Sequence, residues 1–147
     1  MNVTRRNFLA GTGIAATAVL AGRGSSNGSS DDGSASGEKT YKIGVVQLTE
    51  HAALDASNEG FVEAVNASGL SVSIDQQNAQ NDQSACQTIA SKFVGDGVDL
   101  IFAIATPAAQ AAAGATAEIP IVGTAITDFA ASGLVQDNDK PGTNVTG

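Results

Sequence analysis

A chain of 147 residues, 42% of them hydrophobic, is long enough for one globular domain and too short for two of ordinary size. Its net charge of −8 excludes nucleic acid as an expected partner, because an acidic surface repels phosphate backbones. One Cys and one His leave no internal disulfide and little for a metal site, so no cofactor or metal is predicted.

Residues 1–22 have the composition of an export signal. Arg5 and Arg6 precede a run of small apolar residues from Phe8 to Gly22. This run is too rich in Gly and Ala for a membrane span of about 20 strongly apolar residues, and a signal peptide is favoured over a buried core helix. Because TRRNFL also resembles the twin-arginine export signal, we predict a protein exported to the cell surface, the periplasmic side or the medium.

The end of this segment bears on membrane attachment. Leu20-Ala21-Gly22 resembles a bacterial lipobox, but Arg23 stands where the lipid-bearing Cys belongs, and a guanidinium cannot form the thioether. Lipid anchoring is therefore not expected, and the product could be released, stay attached by an uncleaved signal or be a defective copy. Residues 23–39 are rich in Gly, Ser and Asp and predict a flexible linker, because they cannot bury enough apolar surface to fold.

From residue 40 onward, strand and helix patterns alternate. The β-branched, apolar run Tyr41–Leu48 predicts a buried strand, and Ser71–Gln77 alternates apolar with polar residues as a half-exposed strand does. Between them a helix is predicted, with Gly69 as its C-terminal cap. The apolar side of this helix consists of Leu54, Phe61, Val62 and Val65.

The alternation continues to residue 124. A second helix is predicted from its apolar stripe, which consists of Cys86, Ile89, Ala90, Phe93 and Val94. The Cys in this stripe is expected to be a buried apolar residue and not a nucleophile. Leu100–Ala105 and Ile119–Thr124 predict two more strands, and Thr106-Pro107 between them predicts a helix capped by Thr106. The order β-α-β-α-β-α-β predicts an α/β fold with an open parallel sheet flanked by helices.

Polar residues follow all four predicted strands. Ligands of an open parallel sheet bind beyond the carboxyl ends of its strands. The segments expected at that edge are 49–51, 78–82, 106–109 and 124–128. Backbone N–H groups at 106–109 could hold a ligand carboxylate, or Thr106 could merely cap its helix. Asp128 could accept hydrogen bonds from a ligand ammonium, or it could be a solvated turn residue.

No catalytic set accompanies these residues. His51 stands beside Glu50, but adjacent loop residues rarely face each other, and a lone His more often serves packing or hydrogen bonding. No predicted strand-to-helix turn carries the G-x-S-x-G elbow of a hydrolase, and the sequence lacks the G-x-x-x-x-G-K-[ST] loop of a nucleotide-binding protein. These patterns predict a binding protein and not an enzyme.

Four segments together resemble the tryptophan/tyrosine-type substrate-binding proteins of ABC transporters. They read YKIGVVQLTEHAALDASNEGFVEAV, NAQNDQSACQTIASKFV, VDLIFAIATPAAQAA and IPIVGTAITD. The resemblance covers residues 41–147 and implies a single Rossmann-like lobe of the type I periplasmic-binding fold. It also implies capture of an amino acid, with an aromatic one favoured, or of a similar small solute for an ABC importer, whose permease would be the partner.

The same resemblance implies a set of ligand-binding residues. They are Thr49, His51, Leu54, Asn78, Thr106, Ala108, Thr127 and Asp128. The first three would line the cleft between two lobes, and Asn78 would border it. The ATPAAQ turn would hold the polar end of the ligand, and the ITD turn would complete this half of the site. A helix N-terminus suits the carboxylate of an α-amino acid, and an aspartate suits its ammonium.

The sequence also departs from the family pattern. Ala52 and Phe129 stand where the family often has Pro, and the Phe129 ring could pack across the cleft rim or rest on the sheet. Family members continue into a second lobe, so residues 40–147 are expected to be the N-terminal lobe with the C-terminal lobe absent, and to bind ligand weakly or not at all. The alternatives are a truncated, non-functional remnant and a sensory or interaction module of the same fold.

Overall fold

The computed structural model describes residues 39–147, in which strands and helices alternate as far as residue 124 and one short strand follows. Its five strands are β1 (Tyr41–Gln47), β2 (Val72–Asn78), β3 (Leu100–Ile104), β4 (Ile121–Thr124) and β5 (Val145–Thr146). Its three helices are α1 (Ala52–Ala67), α2 (Gln83–Asp96) and α3 (Thr106–Ala115). The predicted strands and helices are confirmed, with strand ends that differ from the prediction by no more than two residues.

The strands form one parallel sheet in the order β2-β1-β3-β4-β5. β1 lies inside this sheet, where Val45 pairs with Gln76 of β2 on one side and with Phe102 of β3 on the other. The predicted open parallel sheet flanked by helices is therefore confirmed. The strand order changes direction between β1 and β3, and sheets with this order bind ligands beyond the carboxyl ends of the strands at such a point.

The helices cover both faces of the sheet. On one face, Phe102 packs against α1, whose Phe61 ring stacks on it with 3.9 Å between the ring centroids. On the other face, Cys86 and Phe93 of α2 are fully buried, together with alanines of α3. Gly44 of β1 permits this approach, because a Cβ at that position would lie 2.6 Å from the Phe93 ring.

The start of α3 differs from the sequence prediction. Ala105, and not Thr106, is the N-cap residue, and no side chain caps this helix. The cause is a tertiary hydrogen bond: the Ala105 N–H donates to the Thr124 carbonyl at 3.0 Å, and Ala105 adopts a φ of 82°. The helix therefore begins at Thr106, and the prediction that Thr106 caps it is wrong.

Two smaller differences have simple causes. Val94 belongs to the predicted apolar stripe of α2 but is 37% exposed, because it lies at the margin of that stripe. β5 has only two residues, too few to show a periodic pattern in the sequence, although its Val145 is buried.

Gly69 agrees with the prediction: it follows α1 with a φ of 76°, as expected of a residue that terminates a helix.

The predicted export signal (1–22), with its twin-arginine motif, lies outside the described residues. So do Arg23, at the lipobox position, and the rest of the predicted linker (23–39) except Lys39. None of α1, α2 and α3, the helices that the structure describes, has the length and apolar character needed to cross a membrane.

Candidate ligand-binding site at the carboxyl edge of the sheet

The loops that follow β1 to β4 meet at the carboxyl edge of the sheet, because these strands are parallel. Backbone hydrogen bonds hold neighbouring loops together: the Ala79 N–H donates to the Gln47 carbonyl at 2.8 Å, and the Asn81 N–H donates to the Leu48 carbonyl at 2.7 Å. The predicted ligand-binding residues all lie at these strand ends, in these loops or in the first turns of α1 and α3. The fold thus brings to one edge residues that are far apart in the sequence.

Backbone strain is concentrated at the same edge. The non-glycine residues with positive φ in residues 39–147 are Gln80, Asn81, Ala105 and Ala125, at 52°, 62°, 82° and 56°. Each lies within three residues of the carboxyl end of β2, β3 or β4. Non-glycine residues rarely adopt such conformations, and strain of this kind clusters at functional sites. The strained backbone therefore indicates a functional site at this edge, independently of the side chains there.

The first turn of α3 presents backbone donors to the edge. The Ala109 N–H donates to the Ala105 carbonyl at 3.1 Å, whereas the N–H groups of Thr106 and Ala108 donate to no other described residue. Pro107 has no N–H to offer. Ala108 is fully buried, backbone included, whereas Thr106 is half-buried, so only Thr106 of these two residues has surface that a ligand could contact. A free N–H group at a helix N-terminus, where the dipole is positive, can help to hold a carboxylate.

The loop between β1 and α1 is shaped by His51. This residue is the N-cap of α1, and its Nδ1 accepts a hydrogen bond from the Ala53 N–H at 3.2 Å. The neutral ring therefore carries its proton on Nε2, which is a donor on an exposed side chain. Thr49 in the same loop is half-buried. Leu54 packs against the apolar cluster beneath α1, so its side chain faces the sheet.

Sequence reasoning does not single out Gln47, the last residue of β1. It is 3% exposed and is the only buried polar residue of the described core. Its Nε2 donates to the Thr49 carbonyl at 2.8 Å and to Asp55 Oδ1 at 2.6 Å. Its Oε1 accepts a hydrogen bond from Asn58 Nδ2 at 3.1 Å. The sequence signal is a polar residue that closes an apolar strand, because a buried amide must find hydrogen-bond partners.

Asn78 and Asp82 fix the loop between β2 and α2. Asn78 Oδ1 accepts a hydrogen bond from the Gln80 N–H at 2.9 Å, which stabilises the turn. Asp82 caps α2 by accepting from the Ser84 N–H at 2.7 Å and from the Ala85 N–H at 3.3 Å. The Ser84 hydroxyl, followed by these N–H groups, lowers the pKa of Asp82 below its usual value. The loop therefore carries a fixed negative charge at neutral pH.

Asp128 follows β4 and stabilises the turn after it. Its Oδ1 accepts hydrogen bonds from the Ala131 N–H at 2.9 Å and from Asn138 Nδ2 at 3.1 Å. These bonds, the Ala131 N–H first, lower the pKa of Asp128, so the exposed carboxylate is ionised at neutral pH. The structure supports the turn role and leaves the charge accessible to a ligand ammonium. Thr127 beside it is exposed, and both residues border a concavity of about 240 Å³.

The Phe129 ring rests on the end of the sheet. It is half-buried and packs against the large core cluster under α2 and α3. A Cβ at Gly123 of β4 would lie 2.9 Å from the ring, so the ring contacts the strand backbone directly. Of the two sequence-based alternatives, packing on the sheet is the one observed.

The charges of the described residues divide between the two ends of the sheet. Toward the amino end, Lys39 pairs with Asp99 at 2.9 Å, and Lys92 pairs with Asp75 at 2.5 Å. The segments at the carboxyl edge that contain acidic residues and no Lys or Arg are 48–55, 79–85 and 125–132. Within residues 39–147, no group of His, Cys, Asp and Glu is arranged to hold a metal ion. A ligand carboxylate would therefore find no Lys or Arg in these segments, and would have to bind backbone N–H groups or neutral side-chain donors.

Comparisons with known proteins place these features in a family. The sequence profile described as "ABC transporter substrate binding protein" matches residues 42–147. A tyrosine-binding protein of Clostridioides difficile (strain R20291) is 48% identical over 126 residues, which cover 83% of this chain and 36% of that protein.

Two solved structures are similar to the described part. One is the ligand-free, open structure of a substrate-binding protein with adhesive properties from Clostridium difficile, with a TM-score of 0.70 at 56% identity, covering 71% of this chain and 37% of that one. The other is an ABC domain from Streptococcus pneumonia in complex with L-Trp, with a TM-score of 0.71 at 42% identity, covering 74% of this chain and 38% of that one.

The present chain spans a little more than a third of the length of each of these relatives. The profile match nevertheless begins inside β1 and runs through all the helices and the remaining strands of the described part. With the predicted open parallel sheet and this match over most of its length, the chain belongs to the ABC transporter substrate-binding protein family, and residues 39–147 form one lobe of its type I periplasmic-binding fold.

Proposed function

We propose that this lobe is one wall of the binding cleft of a protein that captures an amino acid, with an aromatic one favoured, for an ABC importer. The observation that carries the proposal is the pairing of complementary groups on neighbouring strands. The first turn after β3 offers the free N–H group of the half-buried Thr106, and the loop after β4 offers the ionised Asp128. These groups suit the carboxylate and the ammonium of an α-amino acid.

The relatives support the same class of ligand. One is named a tyrosine-binding protein, and another was solved with L-Trp bound. Thr49, His51 and Asn78 would complete the polar wall around the two anchoring groups. On this proposal the solute is released unchanged to the permease outside the cytoplasm, and the protein is not an enzyme. Residues 1–22 would direct its export, and residues 23–39 would be the linker. A lipid anchor is not part of the proposal, because Arg23 stands where the lipid-bearing Cys belongs.

A titration with matched ligands tests the anchoring groups. The ¹⁵N-labelled chain is titrated by NMR, which detects millimolar binding, with L-tryptophan, with indole-3-propionate, which lacks the ammonium, and with tryptamine, which lacks the carboxylate. The amide signal of Thr106 should move with the first two ligands and not with tryptamine. Signals that move equally with tryptamine would contradict the assignment of the carboxylate to α3.

A variant tests the ammonium partner. Asp128→Asn keeps an oxygen for the Ala131 N–H but removes the charge, so L-tryptophan should bind about tenfold more weakly. Indole-3-propionate should bind as before, because it has no ammonium to lose. Glu118→Gln is the matched control, since Glu118 is exposed and precedes β4, at the opposite end of that strand from Asp128. If no ligand of an amino-acid panel moves any signal, the remnant and the interaction module become the better explanations.

A further inference from the structure

Gln47 occupies a position where an apolar side chain would be expected. It closes β1 on the face that packs against α1, in line with Ile43 and Val45, because alternate residues of a strand share a face. At 3% exposure it is as buried as the apolar residues around it. A buried amide is tolerated only when its groups are hydrogen-bonded, so its partners indicate what it does.

The partners of Gln47 all belong to the start of the proposed site. One N–H of its amide donates to the Thr49 carbonyl and the other to Asp55 in the first turn of α1. Its oxygen accepts from Asn58, one turn further along the helix. Only an amide of this length offers two donors and an acceptor in this geometry. The side chain thus joins the end of β1, the loop after it and two positions of α1.

The network is not optimised for stability alone. Asn58 Oδ1 is buried without a hydrogen-bond partner among the described residues, and an unsatisfied buried oxygen is destabilising. Well-packed apolar residues would avoid that cost. We infer that Gln47 is a positioning residue: it fixes the loop 48–51 and the first turn of α1, and through them the wall that Thr49 and His51 contribute to the binding edge. This inference rests on the proposed function for its effect on binding, but its effect on the loop is measurable without ligand.

Two matched variants of the chain test the inference. Gln47→Met removes the hydrogen bonds at nearly constant volume, and Gln77→Met makes the same change on β2, where Asp75 is the one described acceptor for the Gln77 amide. Amide hydrogen exchange without ligand is read at Leu54 and Asp55, whose N–H groups donate to the His51 carbonyl. Exchange there should be about tenfold faster in Gln47→Met, with the amides of β3 unchanged and the control at the wild-type rate.

Binding supplies the second readout. The affinity for L-tryptophan should fall about tenfold in Gln47→Met and stay unchanged in Gln77→Met. Unchanged exchange at Leu54 and Asp55 in a folded Gln47→Met protein would overturn the inference. If the wild type binds no L-tryptophan but the exchange result holds, the positioning of the loop stands and the proposed function fails.

A second substitution covers the case in which Gln47→Met does not fold. Gln47→Glu keeps the shape, but its charged carboxylate would face Asp55 and could not donate to Thr49. At mildly acidic pH the introduced carboxyl would be protonated and could donate one of the two hydrogen bonds again, so the loop exchange, relative to wild type at the same pH, should recover in part. A variant defect that is the same at mildly acidic and mildly alkaline pH would overturn the inference.

Discussion

Replacing Ala105 by Gly should stabilise the fold and weaken ligand capture at the same time. Ala105 has a φ of 82° and a ψ of 153°, a combination that only Gly adopts without strain. Relief of this strain should add about 1–3 kcal/mol to the free energy of unfolding. The greater freedom of Gly in the unfolded chain should offset about 0.5–1 kcal/mol of that gain. The net expectation is a stabilisation of about 1 kcal/mol.

Urea denaturation followed by far-UV circular dichroism measures this change as a higher midpoint at unchanged slope. For a domain of this size, about 1 kcal/mol corresponds to a rise in Tm of about 4–8 °C. Ala117→Gly is the matched control, because Ala117 is exposed, lies outside the helices and is not among the residues with positive φ. The free energy of unfolding of Ala117→Gly should be lower than that of the wild type by up to about 1 kcal/mol. Equal destabilisation by both substitutions would refute the argument from strain. L-tryptophan should bind Ala105→Gly more weakly, because the Thr106 N–H loses its fixed direction.

Three further predictions concern other parts of the lobe. Gly44→Ala should lower the free energy of unfolding by about 1–3 kcal/mol in urea denaturation, because its Cβ would lie 2.6 Å from the Phe93 ring, whereas Gly60→Ala, in open space on α1, should raise it by about 0.5–1 kcal/mol. His51→Asn should raise the free energy of unfolding by a few tenths of a kcal/mol in the same urea assay, because Asn is a preferred N-cap residue. A decrease would contradict the capping role of His51. The pKa of Asp82 is lowered in the folded protein, so its contribution to stability is present above the unfolded pKa of about 4 and is lost as the pH falls through the folded value. Denaturation midpoints from neutral to acidic pH should therefore fall less steeply in Asp82→Asn, and parallel curves would contradict this.

Hydrophobic patterns alone predict most of this fold. β1 and β3 are continuous apolar runs that are stable only when both faces are covered, and the stripe of α2 has the period of a helix. The start of α3 is not predictable in this way, because a hydrogen bond from Ala105 to Thr124 of another strand decides it. Local sequence favours Thr106 as the cap, and the tertiary contact overrides that preference.

The location of the candidate site is predictable from the sequence, but the backbone conformation and the hydrogen bonds of its residues are not. Parallel strands place the loops after β1 to β4 at one edge, whichever side chains they carry. Alanine gives no local signal of a positive φ, so the strain at Ala105 and Ala125 is visible only in the structure. The sequence likewise leaves two roles open for Asp128, and only its bonds to Ala131 and Asn138 show that it stabilises a turn.

The two ends of the sheet differ in how they affect folding and binding. Toward the amino end, lysines such as Lys92 are paired with aspartates, and exposed pairs of this kind contribute little to stability and nothing to the binding edge. At the carboxyl edge, strained turns and the free N–H group of Thr106 raise the free energy of the folded state, and a ligand that accepts a hydrogen bond from Thr106 would lower it again. Relief of strain at Ala105 or Ala125 should therefore raise the free energy of unfolding and lower the affinity for the ligand. A change at Lys92 should leave affinity untouched, so L-tryptophan titrations of Lys92→Met and Ala125→Gly separate the two effects.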